Sequence, residues 1–201
     1  MELNLQEQKD RFLELAKNNI KREGIDDLLE YLQKTDFFEA PASTKFHSSF
    51  AGGLCLHSLN VYERFVKNLE KEYGEKWQDF VSKETATIIA LFHDICKANV
   101  YKVEYRNVKE NGVWVQKPYY SYNDTLPYGH GEKSVYIING FLRLTREEAM
   151  AINWHMGGFD ERVKGGSYAL SDAYAKYKLA LYLHTADILA TYIDEDRGPK
   201  N

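Results

Sequence analysis

Cysteine is scarce: Cys55 and Cys96 are the only two in 201 residues. They form no CxxC pair, so neither a thiolate zinc site nor a disulfide framework is expected. They read as reduced, buried thiols of a cytosolic protein. Long apolar runs are also missing. None approaches the roughly 20 residues that span a bilayer, so no membrane partner is expected. The opening MELNLQEQKDRF is polar from its second residue and has no signal-peptide pattern, which points to the cytoplasm. Positive charge is not in excess. Lys plus Arg total 26 against 30 Asp plus Glu, a net charge of −4. That excludes a global pull towards nucleic acid or anionic lipid and leaves nucleic acid only as a substrate in a local pocket. There is no internal repeat and no low-complexity tract.

What is present is ordinary globular material, 44% hydrophobic and 28% charged. The length suits one domain, residues 1–201, that buries roughly 70% of its unfolded surface. Helical spacing runs from Leu3 to about Arg22, with Leu5, Phe12, Leu15, Ala16 and Ile20 near one stripe. Gly24 breaks it, and a short helix is expected over 25–34. Residues 36–49 contain Pro41 and no clear period and read as a loop. A helix follows over about 54–73, with His57 on the face of Leu54, Val61, Phe65 and Leu69. Another covers about 83–95 and is apolar through ATIIALF, which marks a central buried element.

From Val100 to Tyr122 the character changes. YKVEYRNV and VWVQKPYYSY flank Glu110-Asn111-Gly112, which predicts a β-hairpin, either a wall or lid over a pocket or a ribbon packed on its own domain. Helices follow over about 132–142, 145–156 and 171–193. Thr145 with Glu148 has capping-box spacing, and Ser171 reads as the cap of the last helix. The tail from Asp194 is polar and expected to fray.

Six histidines are present, and any one alone is more often a packed or surface residue than a ligand. Three of them, His57, His93 and His155, lie in apolar helices or at helix ends, where an unpaired polar group is costly. A shared metal would satisfy them together. His93-Asp94 is sunk between Leu91-Phe92 and Ile95, and the pair can face one target only near a helix end. Asp187 lies in the apolar LALYLHTADILATYI, with no basic residue on that helix after Lys178. The competing reading for each is a core residue with an ordinary hydrogen-bonded partner.

His57, then HDICK at 93–97, GHGEKS at 129–134, NWHMGG at 153–158 and Asp187 form an ordered set. This set resembles the HD superfamily of metal-dependent phosphohydrolases, with the texture of the HD domains of bacterial 3′–5′ exoribonucleases and of HD-GYP phosphodiesterases. The likeness spans about 46–193. It implies an all-α helical bundle with one hairpin insertion at about 100–120, N-terminal helices in 1–45 and a metal-binding core in 46–193. It also implies that His57, His93, Asp94 and Asp187 hold one divalent metal, and that Asp94 bridges to a second held with His130 and His155. Mn, Fe, Ni, Co or Zn would suit these donors. Asp94 and Lys97 would be catalytic, with Lys97 near the phosphate of a small phosphorylated substrate, a nucleotide or oligonucleotide; a plain surface lysine is the even alternative. Lys133, Arg162 and Lys164 are further candidates for phosphate, with solvated surface charge the commoner reading. His47 reads more readily as a surface residue than as a substrate contact. His184, three residues before Asp187, reads as either its hydrogen-bond partner or a core histidine.

Three departures bear on the chemistry. Met156 stands where HD-GYP proteins carry a second histidine, which argues against a third metal. No GYP motif is present, which argues against cyclic dinucleotides. Cys96 replaces the glycine of the usual HDIGK and is expected to adjust only packing. Two other functions use similar residues: a di-iron oxygenase of HD-like fold, and a non-catalytic nucleotide-sensing module.

Overall fold

The computed structural model describes residues 4–195. Local signals account for most helix boundaries. Helix α1 (Leu5–Asn19) opens with a reciprocal capping box between Asn4 and Glu7 and turns Phe12 and Ala16 inward. The expected start at Leu3 lies outside the described residues. Helix α2 (Ile25–Lys34) buries Ile25, Leu28, Leu29 and Leu32. Helix α3 (Gly53–Tyr73) carries the stripe that includes His57, and the short α4 (Trp77–Phe80) follows. Helix α5 (Lys83–Phe92) starts at Ser82, whose hydroxyl accepts the Thr85 N–H. Every residue from Ala86 to Phe92 is buried, so α5 is the central element read from ATIIALF. Its Phe92 meets Phe12 edge-on at 5.8 Å, and Phe12 also meets Phe37 and Phe38, which ties the N-terminal helices to the centre.

Strands β1 (Tyr101–Glu110) and β2 (Val113–Tyr122) pair antiparallel from Tyr101↔Tyr122 to Glu110↔Val113. Asn111 and Gly112 both have positive φ, 48° and 86°, as a two-residue type I′ turn requires. The ribbon is mostly exposed. Helices α6 (His130–Asn139) and α7 (Arg146–Asn153) come next, the latter capped by the Thr145–Glu148 box. Glu148 is 0% exposed and also binds Arg22 and Thr85 Oγ1, which joins α7 to α5 and to the segment after α1. A short helix α8 (Glu161–Lys164) follows.

The single helix expected over 171–193 is two. Tyr177 (φ −128°, ψ 90°) separates α9 (Ala169–Lys176) from α10 (Lys178–Leu189), which runs on into a π-helical turn at Ala190–Asp194. Ser171 therefore lies inside α9 and caps nothing. The fold is a helical bundle in which α10 packs along α3 and α7, α5 lies between α1, α3 and α7, and the hairpin is the one insertion among the described residues. No described helix is long and apolar enough to cross a membrane.

Candidate metal centre

Adjacent side chains on a helix point about 100° apart, yet His93 and Asp94 serve one centre because α5 ends between them. His93 keeps helical angles. Asp94 departs to φ −105°, ψ 18°, and a 3-10 turn runs over Ile95–Lys97. With three residues per turn, Lys97 stacks over Asp94, and its ammonium lies 2.7 Å from Asp94 Oδ2. His155 stands just past the end of α7, His57 on α3 and Asp187 on α10. His130 opens α6. Gly131 beside it lets α6 approach the end of α7, since a Cβ there would meet the Asn153 carbonyl oxygen at 2.3 Å.

The hydrogen bonds of the imidazoles determine what faces what. His93 Nδ1 donates to the Ala90 carbonyl (2.8 Å) and His155 Nδ1 to the Ile152 carbonyl (2.6 Å). His57 Nδ1 donates to Glu195 Oε1 at 2.7 Å. All three therefore turn Nε2 inward. His57 Nε2 lies 3.2 Å from His93 Nε2, 3.3 Å from Asp187 Oδ1 and 3.5 Å from Asp94 Oδ2. On the other side of Asp94, Oδ1 lies 3.0 Å from His130 Nε2 and 3.3 Å from His155 Nε2. The buried His155 Nε2 has no hydrogen-bond partner. A bare imidazole nitrogen and a carboxylate oxygen both present lone pairs, so their close approach is unfavourable without a positive charge between them. The donor set thus fits a cation: buried His and Asp groups that could hold a metal ion, in an arrangement compatible with an HD-type site.

Charge is concentrated here. Burial would push the His57 imidazole down, but Glu195 and Asp187 outweigh it and raise it to about 10. Burial opposes the ionisation of Asp94, yet Lys97 and His93 hold it well below the usual carboxylate range. Burial likewise opposes Asp187, and His57 lowers it. His93 is pushed down by burial, which outweighs the opposing pull of Asp94 at 3.5 Å from its Nε2.

Glu195 has no counterpart in the sequence reading, which left the tail from Asp194 as frayed. Its carboxylate is buried and accepts from His57 Nδ1, His47 Nδ1 (2.8 Å) and Ser48 Oγ (2.7 Å). Arg64 grips the neighbouring Asp194 with two donors. Gly53 permits the approach of the 43–48 segment, because a Cβ there would meet Ser48 O at 1.9 Å. His47 accordingly turns inward: its side chain is 14% exposed and its ring lies 4.7 Å from that of His57.

A cavity of about 650 Å³ opens onto His57, Asp94, Lys97 and Asp187, with His47, Phe46, Phe159 and Lys164 also in its wall. Lys97 is buried rather than a plain surface lysine. The other expected cations separate. Lys164 reaches the cavity. Lys133 does not; it is buried and paired with Asp124 at 2.6 Å, beside a different cavity. Arg162 is spent on Asp160, Glu132 and the Asn153 carbonyl and stacks on Trp154. No hairpin residue lines the cavity, so the ribbon is not part of its wall. His184 does not bond Asp187; it donates to the His155 carbonyl at 2.6 Å and so braces that histidine.

Compared with protein-family models, with curated proteins and with solved structures, the chain matches none.

Proposed function

We propose that the chain is a metal-dependent phosphohydrolase of the HD superfamily that cleaves a phosphomonoester or phosphodiester of a nucleotide or oligonucleotide. One observation carries the reading: inward-facing Nε2 atoms and carboxylate oxygens converge, with a buried His155 Nε2 left unpartnered, at the wall of a substrate-sized cavity. His57, His93, Asp94 and Asp187 would hold one divalent ion, and Asp94, His130 and His155 a second. Mn, Fe, Ni, Co and Zn all accept such donors. When bound, these ions supply Lewis-acid polarisation of a phosphoryl oxygen and lower the pKa of an attacking water.

The chain's own residues do the rest. Asp94 presents one oxygen to each half of the centre. Lys97, paired with Asp94 and in the cavity wall, adds fixed positive charge against a phosphoryl group. His47, held through Nδ1 by Glu195, has its other nitrogen for the substrate. Lys164 lies in the cavity wall, where it can meet a second anionic group.

The test is metal analysis of the purified protein and turnover of phosphomonoesters, diesters and nucleotides with each metal added. His93→Ala and Asp94→Ala are expected to lose turnover while keeping their helical circular dichroism. Full turnover in either variant overturns the proposal.

A further inference from the structure

Cys96 is expected from the sequence to affect packing alone, but its surroundings are not apolar. The 3-10 turn after Asp94 directs it towards the start of α6, where Ser134 Oγ accepts its backbone N–H at 3.3 Å. Its sulfur lies within 4.8 Å of a His130 ring nitrogen. Asp94, Cys96 and His130 each offer one donor atom within 4.8 Å of the others. The same Asp94 Oδ1 lies 3.3 Å from the unpartnered Nε2 of His155, which is 0% exposed. Cys55 differs. It belongs to no such group among the described residues, and burial in the apolar core raises its thiol to about 12.

We infer that Cys96 is a sulfur ligand of the second cation position, forming with Asp94 and His130 a mixed oxygen, nitrogen and sulfur set. The inference rests on the metal-dependent reading above and narrows it. Binding forms a sulfur–metal bond and releases the thiol proton to solvent; nothing is oxidised or reduced. A thiolate favours zinc, iron or cobalt over manganese or magnesium, so the position belongs to the softer class of divalent ions.

Cobalt distinguishes the outcomes without any activity assay. Its visible d–d absorption reports binding as such, and a near-ultraviolet sulfur-to-cobalt charge-transfer band reports a thiolate ligand. The full chain loaded with Co²⁺ is expected to show both. Cys55→Ala should keep the charge-transfer band, whereas Cys96→Ser should lose it while retaining d–d absorption. Zinc affinity of Cys96→Ser, by competition with a chromophoric chelator, should fall roughly tenfold or more. Cobalt d–d absorption in the native chain without the charge-transfer band overturns the sulfur ligand and leaves the metal-dependent reading standing. Loss of the band in Cys55→Ala overturns it too, a result that holds even if Cys96→Ser does not fold. A chain that takes up no cobalt, zinc or iron overturns both.

Discussion

Glu195→Ala removes one buried carboxylate that receives four hydrogen bonds, from His57, His47, Ser48 and, at 3.5 Å, the Asn60 amide. The donors do not suffer equally. The His47 side chain is 14% exposed and can be rehydrated, but the His57 side chain is 1% exposed and its Nδ1–H is turned towards Glu195, in the interior. One buried donor left unsatisfied costs about 1–3 kcal/mol. For a chain of this length each kcal/mol lowers the melting temperature by about 2–4 °C, so the metal-free variant should melt about 2–12 °C lower. The His57 ring also loses the partner that fixes its orientation and tautomer, a change that typically weakens metal affinity about 10–100-fold. An opposing effect is built in. Glu195 helps to raise His57 to about 10, so its loss leaves fewer protons for a cation to displace. The affinity deficit should therefore widen as the pH rises from 7 towards 9. Glu195→Gln keeps one acceptor oxygen and should fall between. The assay is chelator competition on protein whose helix content has been checked by circular dichroism. Native affinity and melting temperature in Glu195→Ala would refute the reasoning.

Cation affinity should itself depend on pH, because a metal-free His57 titrating at about 10 carries a proton at neutrality that a cation must expel. Binding should strengthen by up to about tenfold per pH unit for each proton displaced, with release measurable in weakly buffered solution; pH-independent affinity counts against it. Arg22→Ala strands the fully buried Glu148 and should cost about 3–5 kcal/mol in urea denaturation at pH 7. The sign follows from the carboxyl. Burial works against it, but Arg22, Thr145 and Thr85 hold Glu148 below its ordinary 4.5. The stability this pair contributes is present above about 4.5 and is lost as the pH falls through the lower folded value, so native and variant curves should converge in acid; a constant gap contradicts the pairing. Excising 103–120 and closing the chain with a short glycine turn should leave metal uptake unchanged, since no hairpin residue borders the cavity. Lost uptake would show that the ribbon shapes the site.

Much of the helical frame is legible in the sequence, because the signals for it are short-range. Apolar spacing places Phe12, His57 and the ATIIALF segment on inward faces. The Thr145–Glu148 box and the Asn111-Gly112 turn each act within a few residues. Tyr177, which divides the last expected helix, carries no breaker signal and interrupts a continuous apolar period. Glu195 reads as one more acid in a polar tail. Its role depends on a histidine 138 residues earlier, and no local pattern connects them. Lys133 and Arg162 read correctly as cations, but not as cations already neutralised, because Asp124, Asp160 and Glu132 become their partners only through the fold. The cysteine at position 96 is visible in the sequence; the His130 imidazole near it is not.

Residue order dictates the chemical inventory and the local conformations: which residues carry imidazole, carboxylate and ammonium groups, and which stretches are helix or hairpin. Helix packing selects which nitrogen of each histidine turns inward, which carboxylate orients His57 and which lysine reaches the cavity. Helix periods and caps arise from interactions within a turn or two. The convergence of lone pairs depends on how α3, α5, α7 and α10 pack at distances no local pattern encodes.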